Sequence, residues 1–291
     1  VHSGDAAATL PPHSLPPDVV ERLKDQATAL ARELGVVGLM NVQFAIQGKA
    51  IYVLEVNPRA SRTVPFVAKA TGVPLAKIAA LCMVGKTLGE LGYTEETEIQ
   101  HVAVKESVFP FARFAGVDVI LGPEMKSTGE VMGLAQDFPS AFAKSQLAAG
   151  VKLPKSGRVF ISVKDDDKPA VVDLAKRLRA LGFSLMATGG THRYLLNKGI
   201  PNEMVLKVIE GRPHVVDKIV DGAIALVINT TFGKKEIADS FSIRRESLMH
   251  GIPYYTTVQA ARIAVGGLEA MARGELEVRP LQSYLGRAHT R

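Results

Sequence analysis

Asn41-Val42-Gln43-Phe44 and Val53-Leu54-Glu55-Val56-Asn57-Pro58-Arg59 alternate polar with apolar residues, the period of two that marks a strand. Gln47-Gly48 supplies a short turn between them. The same period sets Glu55 and Asn57 on one face of their strand. With Gln43 on the other strand, their side-chain oxygens make a donor set suited to Mg²⁺ or Mn²⁺, hard cations that share their shell with substrate phosphates. Arg59 and Arg62 follow directly and would face the phosphates.

Outward from this pair, Pro16-Pro17-Asp18 opens a helix whose apolar residues Val19, Leu23, Ala27, Leu30 and Leu34 fall on one side, with Gly35 as its stop. Downstream, the spacing predicts helices over 63–70 and 74–84, a strand over 102–109, a Gly/Pro-rich stretch over 116–133 and a helix over 138–149. The segment 151–157, Val-Lys-Leu-Pro-Lys-Ser-Gly, has no periodicity and reads as a linker, which divides the chain into domains 1–150 and 151–291.

The second domain alternates strand and helix: strands near 159–163, 183–187, 204–208, 223–228 and 254–257, with helices between them. Such alternation predicts a Rossmann-like parallel sheet with helices on both faces, and ligands bound beyond the carboxyl ends of the strands. Two segments fall at such ends. Ala187-Thr188-Gly189-Gly190-Thr191 passes from strand to helix and could bring backbone N–H groups to an anion, and Asn229-Thr230-Thr231 adds amide and hydroxyl donors. Lys168 and Lys207 could supply charge. A phosphate is the expected ligand.

Composition narrows the function classes. The 291 residues are 47% hydrophobic and 22% charged, ordinary for a folded chain of about two domains. A surplus of 35 basic over 29 acidic residues gives +6, compatible with anionic ligands and equally with a solvated surface. No basic run interleaved with aromatics points to nucleic acid. The single cysteine, Cys82, excludes an intrachain disulfide and fits a cytoplasmic setting. Apolar runs such as residues 78–84 are far shorter than the ~20 residues that cross a bilayer, so no membrane partner is expected.

Longer motifs carry a family resemblance. His2-Ser3-Gly4-Asp5, Leu39 to Phe44, Glu55-Val56-Asn57-Pro58-Arg59-Ala60-Ser61-Arg62-Thr63-Val64-Pro65-Phe66 and Gly122-Pro123-Glu124-Met125-Lys126-Ser127-Thr128-Gly129 resemble, in order, the second synthetase half of carbamoyl phosphate synthetase large subunits, a family of ATP-grasp ligases. The resemblance implies an α/β chain: a partial ATP-grasp lobe (α+β) followed by a methylglyoxal-synthase-like domain. It implies an enzyme that makes carbamoyl phosphate from bicarbonate, ammonia drawn from glutamine by a glutaminase partner, and two ATP, for arginine and pyrimidine synthesis. This lobe would serve carbamate phosphorylation.

Residue by residue, the resemblance gives Gln43, Glu55 and Asn57 to the metal, Arg59 and Arg62 to the transferring phosphoryl group, and Val1, His2, Ser3, Gln43 and Glu55 to ATP. It gives Lys168, Thr188, Thr191, Lys207, Asn229 and Thr231 to a regulatory nucleotide of the IMP or UMP type. Asp5, Glu106, Tyr254 and Thr256 would take an ornithine-type effector. Homo-oligomers are compatible with it. Because no initiator Met precedes Val1, the chain is expected to be an inactive fragment without the lobe that covers the ATP phosphates. Two other readings remain open at this point: a regulatory nucleotide-binding module without catalysis, and a methylglyoxal synthase, against which stands the lack of an Asp in Ile209-Glu210-Gly211-Arg212-Pro213-His214.

Overall fold

The computed structural model describes residues 2–114, 118–231 and 233–285. They form two compact units, one of Ala8–Ala103 with Val278–Arg291 and one of Val1–Ala7 with Val104–Glu277. These spatial units divide the chain elsewhere than at the 151–157 linker, because residues 104–150 cluster with those that follow them.

The first, or hairpin, unit holds β1 (Ala8–Leu10), α1 (Pro17–Glu33), β2 (Asn41–Gln47), β3 (Ala50–Asn57), α2 (Thr63–Thr71) and α3 (Leu75–Met83). Pro17 at the first turn of α1 costs no hydrogen bond there, and Val19 is the helix's buried residue. β2 and β3 pair antiparallel, with Asn41 opposite Asn57 and Gln43 opposite Glu55, and the register slips after Gln43. A two-stranded sheet cannot bury two faces. Tyr52, Val53 and Leu54 are accordingly exposed, at 50%, 46% and 64%. The unit's core lies instead in the helices, around Phe66, Ala70, Ile78 and Ala79.

The second, or sheet, unit contains β4 (Val102–Val108, from Val104 onward), β5 (Gly129–Ala135) and α4 (Phe138–Ala148). β5 begins inside the Gly/Pro-rich stretch over 116–133, where the spacing predicts no strand. Gly133 lies within it because a β-carbon there would sit 2.0 Å from the Ala141 carbonyl oxygen on α4. Asp137 caps α4 by accepting from the Ser140 N–H at 2.9 Å.

The rest is the expected alternation: β6 (Arg158–Ser162), α5 (Lys168–Ala180), β7 (Ser184–Thr188), α6 (Gly189–Asn197), β8 (Glu203–Val205), α7 (Val215–Val220), β9 (Leu226–Asn229), α8 (Gly233–Asp239), α9 (Phe241–Met249), β10 (Tyr254–Tyr255) and α10 (Val258–Arg273). The strands form one parallel sheet in the order β10-β9-β6-β7-β8. Both faces are covered. Val159 and Ile161 on β6 pack into a cluster with α5 and α10 residues, while Phe160, pointing the other way, packs with Val215, Ile219 and Ile243 of α7 and α9. α8 and α9 have no counterpart in the sequence reading. A final turn, α11 (Leu281–Tyr284), returns to the hairpin unit.

Candidate functional sites

Four groups of residues carry chemistry, one in the hairpin unit and three in the sheet unit.

In the hairpin unit, the antiparallel register brings Gln43 and Glu55 directly opposite each other. The Gln43 amide donates to one Glu55 oxygen at 3.2 Å, and the Asn57 amide donates to the other at 2.8 Å. The three side chains predicted from alternation are therefore together, one carboxylate flanked by two amides. Each amide carries an oxygen on the same terminal carbon, so a half-turn of either amide would present oxygen in place of N–H. Among the described residues, no group of three or more His, Cys, Asp and Glu could hold a metal ion. The oxygen set of Gln43, Glu55 and Asn57 nevertheless has the chemistry that a hard cation prefers. Arg59 donates to the Ala60 carbonyl at 2.9 Å, and Arg62 is the N-cap residue of α2, both exposed.

The sheet unit begins with His2, whose Nδ1 accepts from the Gly4 N–H at 2.9 Å, and whose own N–H bonds to the Gly122 carbonyl. Ser3 is exposed beside it. Val1 lies outside the described residues.

A cavity of about 390 Å³ opens at the carboxyl end of the parallel sheet. The last residues of β6, β7 and β9 are Ser162, Thr188 and Asn229, and all three line it, joined by Lys207 and Thr231. Ser162 is in register with Asn229, and the Ser162 and Thr188 hydroxyls lie 3.0 Å apart. Parallel register thus gathers polar residues from three separate stretches of chain. Of the six nucleotide-site expectations, four line the cavity. Thr191 does not; it is buried, and its hydroxyl accepts from the Val163 N–H at 3.3 Å. Lys168 does not line it either; its ammonium pairs at 2.6 Å with Asp165, which does. That pairing holds the Asp165 carboxyl below its usual range. Sequence reasoning missed Ser162 and Lys164; Thr230, from the expected Asn229-Thr230-Thr231 segment, also lines the cavity and accepts from the Lys164 N–H at 3.1 Å. The signal for Ser162 was available, because it ends a strand as Thr188 does.

A second cavity, of about 770 Å³, is lined by Glu106, Gln146, Arg244, Tyr254 and Thr256 among apolar side chains. Glu106 accepts from the Gln146 amide at 2.7 Å. Burial pushes its carboxyl up, against the opposing pull of the Ser107 N–H, Lys105 and Gln146. Burial likewise raises the Tyr254 phenol, whose oxygen accepts from the Asn229 amide at 2.8 Å. Asn229 and Thr231 thereby adjoin both cavities. Asp5 does not line this one. Its buried carboxylate accepts from the N–H groups of Lys126 and Ser127 at 2.8 and 2.9 Å; burial alone would raise its pKa, but these bonds prevail and lower it.

Arg244 was not foreseen. Its guanidinium forms two parallel bonds to Asp118, at 2.8 and 2.6 Å. Burial would raise the Asp118 carboxyl, yet the Arg244 hydrogen bonds and charge bring it below its usual range. The pair fixes Val119, Ile120 and Leu121, which line the cavity, to α9.

Comparison with known proteins fits this arrangement. Residues 1–91 match the sequence model described as the carbamoyl-phosphate synthase L chain, ATP binding domain, and residues 170–256 match that of the MGS-like domain. The chain is therefore similar to part of a carbamoyl-phosphate synthase ATP-binding domain at one end and to an MGS-like domain at the other. It is 82% identical over 98% of its length to a carbamoyl phosphate synthase large chain of Myxococcus xanthus (strain DK1622), and 55% identical over 98% to that of Mesorhizobium japonicum (strain LMG 29417 / CECT 9101 / MAFF 303099). It is similar over nearly its whole length to these large chains, and it spans about a quarter of the length of these relatives, 26% and 25%. Likenesses to solved structures are slight: a methylglyoxal synthase from Elizabethkingia anophelis NUHP1 aligns with TM-score 0.33 and 16% identity over 47% of this chain and 95% of that one.

Proposed function

We propose that this chain is the part of a carbamoyl phosphate synthase that completes the carbamate-phosphorylating ATP site and carries its nucleotide-responsive control. The convergence of Ser162, Thr188, Asn229 and Thr231 at the ends of parallel strands supports the regulatory half most strongly. Hydroxyl and amide donors with Lys207 beside them suit the phosphate of a nucleoside monophosphate such as IMP or UMP. On this reading residues 1–150 form the end of the second ATP-binding domain, and 151–291 form the regulatory domain.

In the ATP site, Gln43, Glu55 and Asn57 would hold Mg²⁺ or Mn²⁺, which when bound neutralises charge on the ATP phosphates. Arg59 and Arg62 would stabilise charge on the transferred group, and His2 and Ser3 would contact the nucleotide. Glu106, Tyr254 and Thr256 would take the ammonium and polar groups of an ornithine-type effector. Bicarbonate, carbamate and a glutaminase subunit are partners of the whole enzyme on this reading, in the cytoplasm, and the chain by itself makes no carbamoyl phosphate.

The ATP-site assignment is tested in a full-length enzyme. Glu55→Gln removes the only carboxylate among the three proposed ligands, so ATP formation from ADP and carbamoyl phosphate should fall by at least a hundredfold. Near-normal ATP formation would reject the assignment.

A further inference from the structure

The end of the chain leaves the sheet unit after Glu277 and clusters with the hairpin unit from Val278 onward. Its short helix α11 follows Pro280, whose carbonyl accepts from the Ser283 hydroxyl at 2.7 Å. Two side chains then seat on the C-terminal end of α2. Leu285 places both δ-methyl carbons 3.4 Å from where a β-carbon on Gly72 would stand, and Gly72 is the left-handed cap of α2, with φ +75°. Tyr284 packs edge-on against the His101 ring, centroids 5.4 Å apart at 62°.

His101 itself is buried and bonds through Nε2 to the Ala70 carbonyl at 2.9 Å. A carbonyl can only accept, so Nε2 carries the proton and Nδ1 is an acceptor. That Nδ1 is buried without a hydrogen-bond partner. A buried orphan acceptor opposes the docked arrangement and is relieved once water reaches it. The docking thus combines apolar contact with a built-in penalty.

We propose that Val278–Leu285 is a releasable strap that clamps the C-terminal end of α2. Since Arg62 caps the other end of the same helix, the strap sets how firmly α2 and the Arg59–Arg62 turn are held. This holds whether or not the chain binds ATP or effectors.

Hydrogen exchange on the whole chain tests it. The double substitution Tyr284→Ala with Leu285→Ala should speed exchange of the α2 amides, residues 66–71, at least tenfold, with the β6 amides unchanged. A chain ending at Glu277 should do the same, and a peptide of residues 278–291 added in trans should restore slow exchange. Unchanged α2 exchange in the double variant, or a truncated chain that the peptide does not protect, would overturn the strap.

Discussion

The sheet unit and the hairpin unit both present polar residues from neighbouring strands, but only the sheet unit surrounds them with a core. Val159, Phe160 and Ile161 on β6, and Leu226, Val227 and Ile228 on β9, are all 0% exposed, and the polar residues that end these strands line one cavity. In the hairpin unit, Glu55 stands on a strand whose neighbours Tyr52, Val53 and Leu54 face solvent. A site at the strand ends of a parallel sheet covered on both faces is pre-organised by packing, whereas a site on a two-stranded ribbon depends on the few bonds its own side chains make. The cavity at the ends of β6, β7 and β9 should therefore be rigid by itself, and the proposed metal set should be pliable.

The sharpest contrast is in stability. Phe160→Ala empties the centre of the sheet unit and should cost about 3–5 kcal/mol in denaturant unfolding. Val53→Ala on the hairpin should stay within about 0.5 kcal/mol, as exposed substitutions do. Comparable losses would erase the distinction between the units.

Arg244→Met should cost nearly as much as the core substitution, toward the lower end of the roughly 3–5 kcal/mol for breaking a buried ion pair, since Asp118 keeps 30% of its side chain exposed. The same variant frees the wall formed by residues 119–121, and hydrogen exchange there should rise. A variant with unchanged unfolding and exchange would show that the pair holds nothing in place.

A smaller effect is expected in pH dependence. Because burial raises the Glu106 carboxyl, the folded chain binds that proton more tightly than the unfolded chain. Its contribution stabilises the fold at low pH and is lost as pH rises through the raised value. An ammonium-bearing ligand needs the ionised carboxylate, so ornithine should bind more tightly as pH rises through the same value. Glu106→Gln should abolish that slope in calorimetric titrations; a slope that survives would place the titrating group elsewhere.

How far these features were legible in the sequence depends on which physical rule dominated locally. Period-two alternation located Gln43, Glu55 and Asn57, because register on a short hairpin follows from its turn. The β/α alternation located the ends of β7 and β9. β5 was hidden, since Gly129 and Gly133 look like loop residues while Gly133 in fact answers the close approach of α4. α9 was hidden for the opposite reason. Arg244 and Ser247, 3% and 0% exposed, break the apolar stripe that would have marked its inner face, and the charge on Arg244 is balanced by Asp118, 126 positions away in sequence. Asp5 shows the same limit, since its motif is clear from sequence but its backbone partners at Lys126 and Ser127 are not.

The central claim is that the cavity at the ends of β6, β7 and β9 takes a nucleoside monophosphate. Calorimetric titration of the chain with IMP and with UMP tests it most directly, alongside Thr231→Val, which keeps the side-chain shape and removes a hydroxyl from the cavity wall. At least one nucleotide should bind the unaltered chain, and the variant should bind it roughly tenfold or more weakly, since a hydrogen bond to a charged group contributes about 1.5–3 kcal/mol. Absence of binding to the unaltered chain, or equal binding by the variant, would contradict the account.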